Sequence, residues 1–122
     1  MTPRPTVLLC DDSRALRMLA ARQLAEAGFD VVGEAGNGIQ AVEQYRAKRP
    51  DLVLMDLVMP ECDGRLALDR ILGLDPSARV VILSSLGAEA DIEACLRAGA
   101  KSYLQKPIDP EVMARVLHAA LA

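Results

Sequence analysis

The 122-residue sequence contains no tryptophan, one phenylalanine and two tyrosines. So few aromatic rings exclude a base-stacking platform for single-stranded nucleic acid as its principal role. Positive charge is also scarce: 14 Lys and Arg stand against 17 Asp and Glu, a formal net charge of −3. That balance offers neither a cationic face for duplex DNA nor a polybasic stretch for an anionic membrane, so no direct nucleic-acid binding is expected. Cys10, Cys62 and Cys95 are widely spaced and form neither a CxxC nor a Cys/His metal pattern. A reduced, cytoplasmic setting is expected. No segment approaches the roughly eighteen apolar residues needed to span a bilayer, and Met1–Thr6 lacks the apolar core of a signal peptide. Membrane insertion is not expected.

What the chain does have is apolar content, 52% of residues and mostly Ala, Leu and Val. That suffices for one compact core and leaves little for a second, so a single domain over residues 1–122, structured from about 6 to 121, is expected. Short apolar runs alternate with amphipathic segments. Strands are predicted at Thr6–Cys10, Asp30–Ala35, Leu52–Met55, Arg79–Leu83 and Ser102–Gln105, and helices at Ser13–Ala27, Gly38–Lys48, Arg65–Leu72, Ala88–Ala98 and Pro110–Leu121. Gly28 after the first helix, and Asp109-Pro110 before the last, are the expected terminal punctuation. Leu16, Leu19, Ala20 and Leu24 form one predicted buried stripe, and Val112, Val116, Leu117 and Ala120 another. Five βα units imply a parallel sheet covered on both faces, and right-handed crossovers favour a doubly wound, flavodoxin-like order 2-1-3-4-5.

Four of the apolar runs end in polar groups of a matched set: Asp11 and Asp12, then Asp56, then Ser84, then Lys106. In a doubly wound sheet, ligands sit beyond the carboxyl ends of the strands, where all of these groups would meet. Three carboxylates supply hard oxygen donors suited to Mg²⁺, and their mutual repulsion is relieved when a cation binds. Asp56, before Met59-Pro60 and the Asp63-Gly64 turn, is placed as a carboxylate nucleophile. Attack on phosphorus would give an acyl phosphate, its oxygens met by the cation, the Lys106 ammonium and the Ser84 hydroxyl. Pro107 restricts the backbone after Lys106, with a cis bond as one option.

The ordered set Asp11-Asp12-Ser13 with Arg17, Leu54-Met55-Asp56-Leu57, Met59-Pro60 with Asp63-Gly64, Leu83-Ser84-Ser85, Gly99-Ala100 and Lys106-Pro107 resembles the bacterial response-regulator receiver domain of the CheY-like kind. The resemblance covers essentially the whole chain, and it itself implies the strand order given above. It implies Asp56 as phosphoacceptor and Asp11, Asp12, Asp56 and the backbone carbonyl of Val58 as ligands of Mg²⁺, or of Mn²⁺ in its place. Ser84 and Lys106 would contact the phosphoryl group, and Ser84 and Tyr103 would act as the switch pair. The implied partners are a sensor histidine kinase or histidine phosphotransfer protein, and a downstream protein or output domain reached through the fourth helix, fifth strand and fifth helix. A phosphorylation-dependent dimer belongs to the same expectation. Such a domain accepts a phosphoryl group and promotes its own phosphorylation and dephosphorylation, without conventional turnover.

Each assignment has a structural competitor. Asp12 and Ser13 could simply cap a helix, Asp56 could start a turn, Lys106 could be a solvated lysine, and Tyr103 an ordinary half-buried aromatic. His118 is expected on the surface, and Cys10 and Cys95 as small apolar fillers. An aspartyl-phosphate phosphatase would want a second carboxylate near the nucleophile, where this chain has Val58. A phosphorylation-independent interaction module on the same fold remains the alternative. No linker or output domain follows Leu121-Ala122, which leaves a stand-alone receiver and a fragment of a larger regulator equally open.

Overall fold

A computed structural model describes residues 3–122; Met1 and Thr2 of the expected domain lie outside the described residues. Strands β1 (Thr6–Cys10), β2 (Asp30–Ala35), β3 (Leu52–Asp56), β4 (Val80–Ser84) and β5 (Ser102–Gln105) alternate with helices α1 (Arg14–Glu26), α2 (Gly38–Lys48), α3 (Gly64–Leu74), α4 (Glu89–Ala98) and α5 (Pro110–Ala120). All strand pairings are parallel, in the order β2-β1-β3-β4-β5. Among the described residues, no helix is long and apolar enough to cross a membrane.

At the starts of α1 and α3, where the boundaries differ from expectation, helix capping gives the reason. Ser13 lies outside α1 as its N-cap, its hydroxyl accepting from the Leu16 amide at 3.2 Å. Asp63 caps α3 by accepting from Leu66 N at 2.9 Å, so that helix starts at Gly64. Asn37 and Asp109 do the same for α2 and α5, with Pro110 in the first turn of α5. Each such cap contributes about 1 kcal/mol by satisfying an amide the helix leaves unpaired.

Every residue of β3 and β4 is buried, because side chains of alternating direction meet helices on both faces. On one face Leu8, Val53, Met55 and Ile82 pack with Ala41, Tyr45, Leu68, Ile71 and Cys95 of α2, α3 and α4. On the other, Val7, Leu9, Leu54, Val81 and Leu104 pack with Ala20, Leu24, Met113 and Leu117 of α1 and α5. Buried Tyr45 donates its hydroxyl to Asp75 at 2.7 Å, tying α2 to the end of α3. Burial and this partner push the tyrosine up to about 12.

Two expected stripes need correction. Leu16 and Leu19 are 44% and 53% exposed, whereas Ala20 and Leu24 are buried as expected. The first turns of α1 lie at the carboxyl edge beside Lys106, Pro107 and Ile108, where no strand surface remains to cover them. In α5, Val112 is on the surface and Met113 takes its place in the core.

Two glycines allow backbones to approach closely near that edge. A Cβ on Gly38 would collide with the Cys62 carbonyl, and one on Gly64 with the Asp56 carbonyl. The start of α2 is thereby seated on the β3–α3 connection, and the start of α3 against the end of β3. Gly73 in α3 has nothing within 4 Å of a built Cβ. In urea denaturation, Gly38→Ala should cost about 3 kcal/mol through displacement of packed backbone. Gly73→Ala should instead stabilise by about 0.5–1 kcal/mol through helix propensity.

Candidate functional site

Parallel register brings the polar strand ends together. Cys10 pairs with Met55, Asp56 with Leu83 and Ser84 with Gln105. The ladder continues past the strands through Asp11 N to Ala35 O at 3.0 Å, Leu57 N to Leu83 O at 3.2 Å and Lys106 N to Ser84 O at 2.8 Å. Among the described residues, the buried polar side chains are Asp11, Asp56 and Ser84, and all three stand at this edge. Burying such groups is costly unless they are paired, so their concentration at one place calls for a compensating interaction.

That interaction comes from Lys106. Its ammonium lies 2.9 Å from Asp11 Oδ2 and 3.1 Å from Asp56 Oδ2, bridging two carboxylates. Asp11 Oδ1 accepts from Ser13 N at 2.9 Å, and Asp56 Oδ1 from Val58 N at 3.2 Å. Exposed Asp12 completes a cluster whose three carboxylates each offer an oxygen within 4.8 Å of the others. At that separation each carboxylate pair repels by about 3 kcal/mol at an effective dielectric near 20. Three carboxylates against one ammonium leave two net negative charges, the complement of one divalent cation. The donors are all hard oxygens, which suits Mg²⁺ or Mn²⁺ rather than a thiophilic metal.

Ser84 completes the edge. Its Oγ is buried and has no hydrogen-bond partner among the described residues. An orphaned hydroxyl in a polar recess is an open position for an acceptor atom brought by a ligand. The Lys106–Pro107 peptide is cis. Val58 and Leu86 flank the mouth with side chains 77% and 83% exposed. Tyr103 stands apart from the cluster, 47% exposed on β5, beside a cleft of about 230 Å³ that it lines with Ser85, Ile92, Leu96 and Gln105. His118 is exposed, with its ring 4.6 Å from Phe29 and Nε2 3.2 Å from the Ala27 carbonyl, away from the acids. Cys10, Cys62 and Cys95 are buried free thiols, and burial pushes the Cys10 thiol far up, which leaves it inert.

Arg17 stands in the ordered set quoted above, but its contacts leave no sign in the sequence. Arg17 donates from Nη1 to the Asp11 carbonyl at 2.6 Å and from Nε to Glu34 at 3.1 Å. No local spacing signals a contact between α1 and β2 that crosses seventeen positions.

Burial raises the Asp56 carboxyl above its ordinary value, with Asp11 adding to the rise, and the Lys106 hydrogen bond and charge only partly counter it. For Lys106, partial burial acts downward, yet Asp11 and Asp56 prevail and the net direction is up. The folded chain therefore holds the Asp56 proton more tightly than the unfolded chain, and ionised Asp56 opposes folding at neutral pH. Asp56→Asn should raise the urea midpoint at pH 7 without changing the slope. Its advantage should shrink as pH falls through the raised Asp56 value and vanish below the ordinary carboxylate range.

Residues 7–118 match the response regulator receiver domain family. The chain is 42% identical to the chemotaxis protein CheY of Bacillus subtilis over 113 residues, spanning 93% of this chain and 92% of that one. It is 40% identical over 119 residues to the nitrate/nitrite response regulator NarL of Escherichia coli, covering 96% of this chain and 55% of NarL. Among solved structures, the CheX–CheY–BeF3–Mg²⁺ complex from Borrelia burgdorferi matches with a TM-score of 0.91 and 31% identity, over 96% of this chain and 89% of that one. With its family, its doubly wound fold and the acid-lined edge in agreement, this chain belongs to the response-regulator receiver domains, of the CheY type.

Proposed function

We propose that this chain, as a single receiver domain, accepts a phosphoryl group on Asp56 in a divalent-cation-dependent reaction and uses the acyl phosphate to change its affinity for a partner. What supports this is the convergence of the buried polar side chains on one edge, where a cluster two charges negative adjoins an unpartnered hydroxyl. The Borrelia relative was solved with BeF3 and Mg²⁺, an anionic group and a cation of the kinds this edge suits.

Asp11, Asp12, Asp56 and the Val58 main-chain carbonyl would hold Mg²⁺, or Mn²⁺ in its place. When bound, the cation offsets the negative charge of the phosphoryl oxygens. The donor is a phosphohistidine of a sensor histidine kinase or histidine phosphotransfer protein. An Asp56 oxygen attacks phosphorus, the bond from phosphorus to the imidazole nitrogen breaks, and the imidazole leaves with the electron pair. Lys106 pairs with one phosphoryl oxygen and Ser84 donates its hydroxyl hydrogen to another. Water later attacks phosphorus, releasing inorganic phosphate and restoring the carboxylate, so the chain is a phosphoacceptor rather than a conventional enzyme.

The output follows from the same contacts. Drawing Ser84 toward a phosphoryl oxygen shifts the Ser85–Ala88 connection, and the cleft shared by α4, β5 and Tyr103 repacks. Output passes through the face of α4, β5 and α5 to a downstream protein or output domain, with a phosphorylation-dependent dimer as a further form of output. The free thiols suit the cytoplasmic setting in which a kinase would meet this chain.

Intact-mass analysis after incubation with a small phosphodonor should show a phosphoryl adduct on wild type only with Mg²⁺, and none on Asp56→Asn. A folded wild type that forms no adduct would instead favour a phosphorylation-independent interaction module. Ser84→Ala removes one hydrogen bond to a charged group, about 1.5 kcal/mol, and should slow adduct formation about tenfold in a stopped time course.

A further inference from the structure

We propose that Arg17, anchored by Glu34, is a positioning residue for the cation site: it holds the Asp11 main chain so that the Asp11 and Asp12 carboxylates face Asp56. The proposal rests on the reading of the acid cluster as a divalent-cation site, and its test separates the two.

The geometry that points to it is local. The peptide unit joining Asp11 to Asp12 carries two of the three carboxylates, and its orientation decides where both point. Asp11 N donates to Ala35 O at 3.0 Å, and the Asp11 side chain is held by Ser13 N and by Lys106. The carbonyl of that peptide accepts from Arg17 Nη1 at 2.6 Å, a short charge-assisted bond. Exposed Asp12 follows directly, so rotation of this peptide plane would swing its carboxylate away from the cluster.

Arg17 is suited to the task by what holds it in turn. Nε donates to Glu34 of β2 at 3.1 Å, and the arginine side chain is 18% exposed, the glutamate 48%. Glu34 pairs with the guanidinium and fixes its direction, so that its other arm is spent on the Asp11 carbonyl. The guanidinium lies against the β2–α2 turn, where a Cβ built on Gly36 would touch Arg17 Nη1 at 3.4 Å, an ordinary packing distance. One planar group thus serves a carbonyl on one side and a carboxylate on the other, a geometry that a single ammonium does not reproduce.

The rival account is that Arg17 and Glu34 form an ordinary surface ion pair, worth under about 1 kcal/mol and acting on the site only through charge. The two accounts differ in sign. Removing a positive charge beside a cation site strengthens cation binding by Coulomb's law alone, whereas loss of a brace weakens it. Partners that orient metal ligands typically change affinity by about 10–100-fold when removed.

Calorimetric titration with Mg²⁺ and with Mn²⁺, on wild type, Arg17→Met and Arg17→Lys, decides between them. Arg17→Met should bind about tenfold more weakly. Arg17→Lys, which keeps the charge but loses the fork, should fall between, about threefold weaker. In metal-free protein the Ser13 amide, bonded to Asp11 Oδ1, should exchange its hydrogen faster in Arg17→Met than in wild type. The Mg²⁺ concentration for half-maximal adduct formation should rise by the same factor as the dissociation constant, with the rate at saturating Mg²⁺ within about twofold of wild type. Equal or tighter binding by Arg17→Met overturns the proposal. If circular dichroism shows Arg17→Met unfolded, Arg17→Lys decides alone, and wild-type affinity there overturns it. A wild type that binds neither cation overturns the cation-site reading and this proposal with it, which distinguishes the two failures.

Discussion

The ammonium of Lys106 between the carboxylates of Asp11 and Asp56 is the contact on which the rest of the molecule depends. Two buried acids beside a third would repel by several kcal/mol without a fixed counter-charge. Placing that counter-charge requires the sheet order. The acids come from β1 and β3, adjacent at the centre, and the lysine follows β5 at the rim, two strands away from β3. Only a long side chain spans that gap. Ser84, at the end of the strand between, is left beneath the span with an unused hydroxyl.

Much of this was readable in the residues themselves. Continuous apolar runs such as Leu52–Met55 and Val80–Leu83 announce strands buried on both faces, and β1, β2 and β5 begin and end where their patterns do. The polar group at each run's end then locates the edge without knowledge of any contact. The helices were less exact. Their apolar period identifies a stripe but not where the sheet beneath it stops, so Leu16 and Leu19 were expected in the core and stand at its margin. In α5 the neighbouring Met113 outcompeted Val112 for the same reason: the direction a helix faces is set by what it packs on.

Other features have no single-residue signature. The seat of Gly38 on the Cys62 carbonyl is a property of two backbones meeting, and a glycine at the start of a helix reads equally well as a poor helix former. The link from Arg17 to Glu34 joins elements whose proximity is known only once β2 is placed beside β1. The convergence of the acids, the hydroxyl and the lysine on one edge was therefore legible from residue type and strand position, while the contacts that brace that edge emerged with the fold.

The bridge from Lys106 to the acids also fastens the sheet. A strand at the rim, hydrogen-bonded on one side only, is ordinarily the first to fray. Here β5 is stitched across β4 to the most protected strands by two ion pairs, so that peeling it away would leave the acids facing one another. A cation that took over the acids would relax that stitch. The rim of the sheet and the helix that follows it would then loosen as the acids were satisfied from outside, and whatever steadied the rim would, by reciprocity, resist the cation.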